Sequence, residues 1–278
     1  MIPTPITTPV DSSLSDVVLK YIPTPVTRSQ LRQLKQDFKF ARTLEFYTDG
    51  SMMAHRTDQC VMGIGWIQVD TDNDIPSRTF SAQVQLFPSA LRAEIYAVLS
   101  ALCTAPKFCV VTIVTDNKNV EVGLRHICSQ VSSTPPHLKD LFASNAILWA
   151  AIAYIIETQE LMCSIRKIKS HSSNSNSDPA QLHNDTADQL AKAGTMKPLF
   201  SFDTSFLPDS QYILSWSAIE VDLPTRKFVK QLCEAKSFNT VYNSSRQQKL
   251  KYLSHREQIN WTLTKNLLAS ANTDGSTS

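Results

Sequence analysis

The chain carries six cysteines but no C-x-x-C pair, which argues against a structural zinc site. Most of the six (Cys60, Cys103, Cys109, Cys128, Cys163, Cys233) lie within apolar runs, as small buried residues do. A reducing, intracellular setting is expected, and no address signal separates nucleus from cytoplasm. There is also no long hydrophobic run. The most apolar stretch, Ala146 to Ile156, ends in Glu157 and is too short to span a bilayer, so it reads as a buried helix and no membrane partner is expected. The opening residues MIPTPITTPVDSS hold no basic segment followed by an apolar one, so no signal peptide is expected. Nor is there a charge excess: 27 Lys and Arg stand against 25 Asp and Glu, a formal +2. That excludes a uniformly basic nucleic-acid coat.

What is present is a globular composition. The 278 residues are 42% hydrophobic and 19% charged, enough for one medium domain with an extension or for two small domains. The charge is uneven: residues 41–196 carry 12 Lys and Arg against 15 Asp and Glu, while both flanks are slightly basic. A mildly acidic centre between basic flanks suits cation binding with phosphate contacts beside it.

Punctuation by proline, glycine and polar clusters divides the chain. Residues 1–40 read as a flexible lead-in, Pro- and Thr-rich through residue 27, with a short helix over 28–40. Strands are expected at Leu44–Thr48, ending at Asp49, at Val61–Val69 and at alternating Thr79–Leu86. Ser89 can cap a helix whose apolar positions run from Leu91 to Leu102, closed by Pro106. Phe108–Thr115 is a continuous apolar run, the mark of a strand covered on both faces. Helices follow at Asn117–Ser129 and Lys139–Leu161, split by a Ser-Ser-Thr-Pro-Pro loop, then a strand at Met162–Lys169. A polar loop, His171–Pro179, leads to a last helix, His183–Gly194, ended by its glycine. The order β-β-β-α-β-α-α-β-α predicts an α/β fold with a mixed five-stranded sheet and helices on both faces. Residues 197–278 read as a mostly helical extension, with helices at Thr225–Ala235 and Ser244–Ser270 and a disordered tail.

Four acids stand at notable places on these elements. Asp49 follows the first strand in Thr-Asp-Gly-Ser, and Glu94 lies in the first turns of the Ser89-capped helix. Asp116 follows the fourth strand in Thr-Asp-Asn, and Asp188 lies in the last helix in Asn-x-x-x-Asp-x-Leu-Ala-Lys. Each has an ordinary reading: a turn residue, a solvated helix face, a cap for the next helix. Together at one point, four carboxylates would repel unless cations held them, and hard divalent cations with oxygen ligands are what such a cluster invites. Two such ions can drive phosphodiester hydrolysis.

These motifs, in this order and on these elements, resemble type 1 ribonuclease H over about residues 43–195. The matching pieces are Thr48-Asp49-Gly50-Ser51, Ala93-Glu94, Thr115-Asp116-Asn117, the Lys-x-His ending at His171, and Asn184-x-x-Ala187-Asp188-x-Leu190-Ala191-Lys192-x-Gly194. The resemblance implies an RNase H-like catalytic domain at 41–196 that cuts the RNA strand of an RNA–DNA hybrid. It implies two Mg²⁺ ions, with Mn²⁺ able to replace them, held by Asp49, Glu94, Asp116 and Asp188. It further implies a proton-transfer or product-release role for His171, with His183 as a second candidate. Gly50 would let the backbone approach the substrate closely. Backbone amides near Gly50 and Ser51, with the side chains of Asn117 and Asn184, are the implied contacts to the 2′-hydroxyls that mark the RNA strand.

The chain departs from that pattern in three places. The loop after His171 is long and rich in Ser and Asn; residues 130–140 hold only Lys139 where some family members carry a basic handle; the first hairpin lacks a Gly-rich character. This combination looks more like the RNase H domain of a retroelement polyprotein, with reverse transcriptase or other retroelement domains as partners that supply grip on nucleic acid. Two alternatives stay open: a catalytically inactive remnant that still binds nucleic acid, and another nuclease of the RNase H-like fold. A second Thr-Asp-Gly-Ser, at 273–276, follows no strand and reads as tail.

Overall fold

The computed structural model describes residues 17–54, 60–69, 77–130, 144–168, 178–207, 214–217 and 219–242. Chain contacts divide it into two compact units, Met1–Pro224 and Thr225–Ser278.

The first unit is built on a five-stranded sheet in the order β3-β2-β1-β4-β5. Strands β1 (Thr43–Met53), β2 (Val61–Val69) and β3 (Arg78–Val84) form an antiparallel meander, and β4 (Val110–Thr115) and β5 (Met162–Lys167) add in parallel on the other side of β1. The mixed sheet expected from the element order is therefore present. Strand β1 is longer than its apolar run. It pairs with β2 from Glu45↔Val69 through Asp49↔Gly65 to Met53↔Val61, whereas its pairing with β4 stops at Tyr47↔Val114. Asp49 thus lies inside a strand rather than at its end. The hairpin partner keeps the backbone hydrogen-bonded where β4 gives out, and the residues just past that last β1–β4 pair are Thr48-Asp49 and Thr115-Asp116.

Alternation along β1 assigns its two faces. Leu44 and Phe46 enter the main core, where Phe46 meets Phe38 and Trp66 edge-on, with ring centroids 6.0 and 5.1 Å away. Helices α1 (Pro25–Asp37), α2 (Ala90–Leu102) and α4 (Ala146–Thr158) contribute to this core, and α3 (Lys118–Gln130) packs against β5 and α4. Tyr47 faces the other way, onto Val114 and onto Ala187 of α5 (Pro179–Gly194). Helix α5 lies very close to β2: a Cβ at Gly65 would stand 2.3 Å from the Ala191 nitrogen, and one at Gly63 2.2 Å from the Ala191 carbonyl oxygen. The bare strand surface at those glycines lets the helix bearing Asp188 settle on the sheet.

Helix α5 begins four residues earlier than the apolar pattern suggested. Asp178 accepts from the Ala180 amide at 3.0 Å and Pro179 occupies the first turn, a strong start signal. His183 is consequently inside the helix.

Residues 17–40, expected as a lead-in with a helix only from 28, are folded onto the core. Val18, Leu19 and Ile22 are buried, and Arg28 Nε donates to the Ile22 carbonyl at 2.6 Å. Residues 198–207 continue the same packing. Leu199 lies beside Gln83 on the exposed edge of β3, where the Gln83 amide donates to the Pro198 carbonyl and the Phe200 amide to the Gln83 carbonyl. Phe200, Phe202 and Leu207 are buried, and Phe206 stacks on Tyr21 with centroids 3.6 Å apart. This covers a sheet edge that would otherwise be open to pairing with another chain. A two-residue ladder, β6 (Ser215–Trp216) with β7 (Ile219–Glu220), was not expected from the sequence.

In the second unit, α6 spans Thr225–Tyr242, longer than the expected Thr225–Ala235. The helix expected over Ser244–Ser270, the tail and the second Thr-Asp-Gly-Ser lie outside the described residues, as do the 132–136 loop and Lys139. Among the described residues no helix is long and apolar enough to cross a membrane.

Candidate active site

The notch beyond the last β1–β4 pair is where the acids meet. Asp49, Glu94 and Asp116 each bring a carboxylate oxygen to within 4.8 Å of the others. Asp49 arrives on β1, Asp116 from the end of β4, and Glu94 from α2, on the opposite sheet face to α5. The first turns of α2 are fixed by Ser89, whose Oγ accepts from the Arg92 amide at 3.1 Å.

Gly50 is what lets α2 come so near. A Cβ there would lie 2.2 Å from the Glu94 nitrogen and 2.4 Å from the Ala93 carbonyl carbon. The expected reason for this glycine was close approach of a substrate; the neighbour that demands it is the backbone of α2. The Gly50 amide is itself engaged, donating to Asp49 Oδ1 at 2.8 Å. Ser51 follows on β1, half-buried.

The electrostatics are those of a site lacking its counter-charge. Burial, helped by the charges of Asp116 and Asp188, pushes the Asp49 carboxyl up to about 7, against the pull of the Gly50 amide. Burial first, then the charge of Asp49, lifts Glu94 well above the ordinary carboxylate range. Glu94 Oε1 accepts from Asn117 Nδ2 at 3.3 Å, whereas Oε2 is buried with no donor among the described residues. As carboxylates, Glu94 and Asp49 face each other acceptor to acceptor; a proton shared between them would convert that contact into a hydrogen bond. Hard oxygen donors, one of them an orphaned buried acceptor, fit a hard divalent cation. These residues therefore suit the metal that the sequence pattern implies.

Asp116 was weighed as a cap for the following helix. That task falls to its neighbour: Asn117 Oδ1 accepts from the amides of Asn119 and Val120 at 2.9 and 3.4 Å, while Asn117 Nδ2 steadies Glu94. Asp116 is left free to face the notch. Asp188 lies outside the group of three. Its charge is felt at Asp49, but its Oδ2 is held by Lys192 Nζ at 2.6 Å, one turn along α5. Asn184, one turn before Asp188, is buried. His171 lies outside the described residues. His183 packs on the Tyr47 ring at 5.0 Å, and its Nδ1 is buried without a partner among the described residues. Tyr47 precedes Asp49 by two residues on the same face, so His183 sits beside the cluster rather than in it.

Sequence reasoning missed Lys192 as a group of the site, although it stands at i+4 from Asp188, the spacing of a helix ion pair. It also missed Arg92, buried one position before Ala93-Glu94, whose partner Asp222 lies 130 residues away. No local pattern could have pointed to that contact.

The chain finds no match among curated proteins. Among solved structures it is similar to the Prototype Foamy Virus protease–reverse transcriptase, with 22% identity and a TM-score of 0.42 over 56% of this chain and 21% of that one. It thus spans about a fifth of that viral protein's length. It is similar also to the separate PFV RNase H domain in solution, at 23% identity and TM-score 0.42, covering 55% of this chain and 94% of that one. A third is LC9-RNase H1, a type 1 RNase H with the type 2 active-site motif, at 16% identity and TM-score 0.43, covering 64% and 83% of the two chains. The family model described as RNase H matches residues 41–196, more than half of the sequence. The chain belongs to the RNase H family.

Proposed function

We propose that this protein is an endonuclease that hydrolyses the RNA strand of RNA–DNA hybrids by two-metal-ion catalysis. The observation that carries the reading is the convergence of the Asp49, Glu94 and Asp116 carboxylates within 4.8 Å of one another, with burial raising the Asp49 and Glu94 carboxyls above their ordinary range. Asp49, Glu94, Asp116 and, once released from Lys192, Asp188 would hold Mg²⁺ or Mn²⁺. What divalent cations supply to phosphodiester hydrolysis is a more acidic water and neutralisation of charge at the departing 3′ oxygen.

The chain's own groups have defined tasks around that chemistry. The Gly50 amide orients Asp49, and the Asn117 amide orients Glu94. Lys192 holds Asp188 along α5. Backbone near Ser51 would read the 2′-hydroxyls of the hybrid, the feature absent from duplex DNA, whereas Asn184, expected to share that task, is buried. His171 would move a proton at the leaving oxygen. With only Lys139 over residues 130–140, grip on the hybrid is weak, and reverse transcriptase or another retroelement domain supplies it.

The test is cleavage of end-labelled RNA–DNA hybrid with Mg²⁺, beside duplex DNA, duplex RNA and a chelator control, for wild type and Asp49→Asn. Metal-dependent cutting of the RNA strand alone, lost in the variant while its fold persists, is the expected result. A folded wild type that binds hybrid and leaves it whole would overturn the proposal in favour of an inactive binding remnant.

A further inference from the structure

A buried ion pair lies directly behind the carboxylate site. Arg92, two residues before Glu94 on α2, places Nη1 2.8 Å from Asp222 Oδ2, with side-chain exposures of 5% and 1%. The same nitrogen donates to Asn145 Oδ1 at 3.0 Å, and Nη2 lies 3.5 Å from the Tyr96 hydroxyl. Arg92 Nε has no hydrogen-bond partner among the described residues. Asp222 is engaged on its other side as well. Its Oδ1 accepts from the Ile147 amide at 3.2 Å, and its carbonyl accepts from the Asn145 amide at 3.2 Å. Asn145 adopts a left-handed backbone, φ 65°, at the start of α4. One aspartate therefore ties the first turn of α2 to the first turn of α4.

Asp222 lies 26 positions beyond the last residue matched to the RNase H family. We infer that Asp222 is a positioning residue for the carboxylate site, clamping Arg92 so that the first turn of α2 holds Glu94 against Asp49 and Asp116. The inference rests on reading that cluster as a metal site.

The geometry supports this in two ways. First, α2 is located near Glu94 from two sides: by Gly50, where the backbones meet with no room for a Cβ, and by the Arg92–Asp222 clamp. Remove the clamp and the turn keeps its contact at Gly50, its Ser89 cap and the Asn117 hydrogen bond to Glu94, all on the sheet side or at the helix start, while its tie to α4 is lost. Second, a guanidinium deprived of its carboxylate cannot stay where it is. An uncompensated buried charge draws water in or moves out to it, and either change falls on the turn that carries both Arg92 and Glu94. The far end of α2 is held separately, by Gln159 Nε2 donating to the Leu102 carbonyl at 3.1 Å. The two ends can therefore be loosened independently.

The experiment is calorimetric titration of metal-free, full-length protein with Mn²⁺, for wild type, Asp222→Ala, Asp222→Asn and the far-end control Gln159→Ala. Circular dichroism and denaturant melts are recorded in parallel. Asp222→Ala is expected to weaken Mn²⁺ binding about tenfold or more, as loss of a group that orients metal ligands does. Asp222→Asn, which keeps the shape and the acceptor for Ile147, should fall between it and wild type. Gln159→Ala should lose stability yet bind Mn²⁺ as wild type does. Three results would overturn the inference: wild-type Mn²⁺ affinity in folded Asp222→Ala and Asp222→Asn, an equal loss in Gln159→Ala, or failure of both Asp222 variants to fold, which would make Asp222 a folding residue only. Wild-type protein that binds Mn²⁺ but leaves hybrid uncut would sink the nuclease reading alone. Wild-type protein that binds no Mn²⁺ would sink both.

Discussion

Two ionic sites share the first turns of α2, and they are opposites. Arg92 and Asp222 are a satisfied pair, opposite charges at 2.8 Å with both side chains nearly sealed from water. Glu94, two residues on, faces Asp49 and Asp116, which carry the same sign. Burying a charge is tolerable when a partner of opposite sign is built in; gathering three of one sign, one buried and two half-buried, is a standing cost that a proton or an external cation relieves. The difference separates a charge kept for architecture from charges kept for chemistry, on the same helix and at similar depth. It also accounts for the odd combination of a rigid approach of α2 at Gly50 and a poorly satisfied carboxylate beside it.

The strongest way to break the contrast is to pry the like-charge site open while leaving the clamp intact. Gly50→Ala puts a methyl group 2.2 Å from the Glu94 nitrogen, against backbone that cannot swing aside. Glu94 must retreat from Asp49. A displacement of about 1 Å in a catalytic group costs roughly a hundredfold in rate, and overpacking of this kind costs about 1–3 kcal/mol of stability. Hybrid-cleavage rates with a denaturant melt check both. Activity within a factor of two of wild type would mean that α2 has slack the structure does not show.

The opposite perturbation attacks the clamp. Arg92→Met leaves Asp222 as an unpaired buried carboxylate, and removing one partner of a buried pair costs about 3–5 kcal/mol. Adding Asp222→Leu removes the orphaned charge, so the double variant should be far less destabilised than the two single losses summed. The coupling energy from a four-protein denaturation cycle measures this. Additive losses would show that the two charges do not depend on each other, and the contrast with the carboxylate site would lose its meaning.

How much of this was legible in the sequence divides along the same line. The order of elements along the chain followed from apolar periodicity, and the Asp49, Glu94 and Asp116 settings from short motifs, because both signals are local. Where local signals fell short, a distant contact had decided. Asp49 looked like a strand end because the apolar run stops at Tyr47; the hairpin with β2 carries the strand on to Met53. Val18, Leu19 and Ile22 looked like part of a lead-in because prolines surround them, yet the core accepts all three. Asp222 gave no sign at all, since what identifies it is an arginine 130 residues away.

A gentler test of the carboxylate site is its pH dependence without metal. The folded protein holds the Asp49 proton up to about pH 7, whereas an exposed aspartate releases it near 3.8. Folding therefore favours proton uptake between those values. The stability this group contributes is full below the unfolded value and is lost as pH rises through the folded one. Glu94 shifts in the same direction. Melting temperature in chelator should fall from about pH 4 to about pH 7 on this account. Asp49→Asn should flatten the slope, and Mg²⁺ at pH 8 should recover the loss. An unchanged melting temperature across that range would mean the carboxylates are better solvated than their burial indicates.

The smallest effect is expected at Lys192, and its size is informative because it sits between the two kinds of site. Its ammonium lies 2.6 Å from Asp188 and is 61% exposed, so the contact is an ion pair largely open to water and contributes little to stability. Its other consequence is local: it occupies the carboxylate that a cation near Asp49 would also use. Lys192→Gln should leave the melting temperature nearly unchanged and lower the Mg²⁺ concentration needed for half-maximal cleavage by about two- to threefold, the scale of one exposed charge pair worth a few tenths of a kcal/mol. A rise in that concentration instead would mean that Lys192 holds Asp188 in the orientation the cation needs. The ion pair would then belong with the Arg92 clamp, as a support for the site, rather than with the charges waiting for a metal.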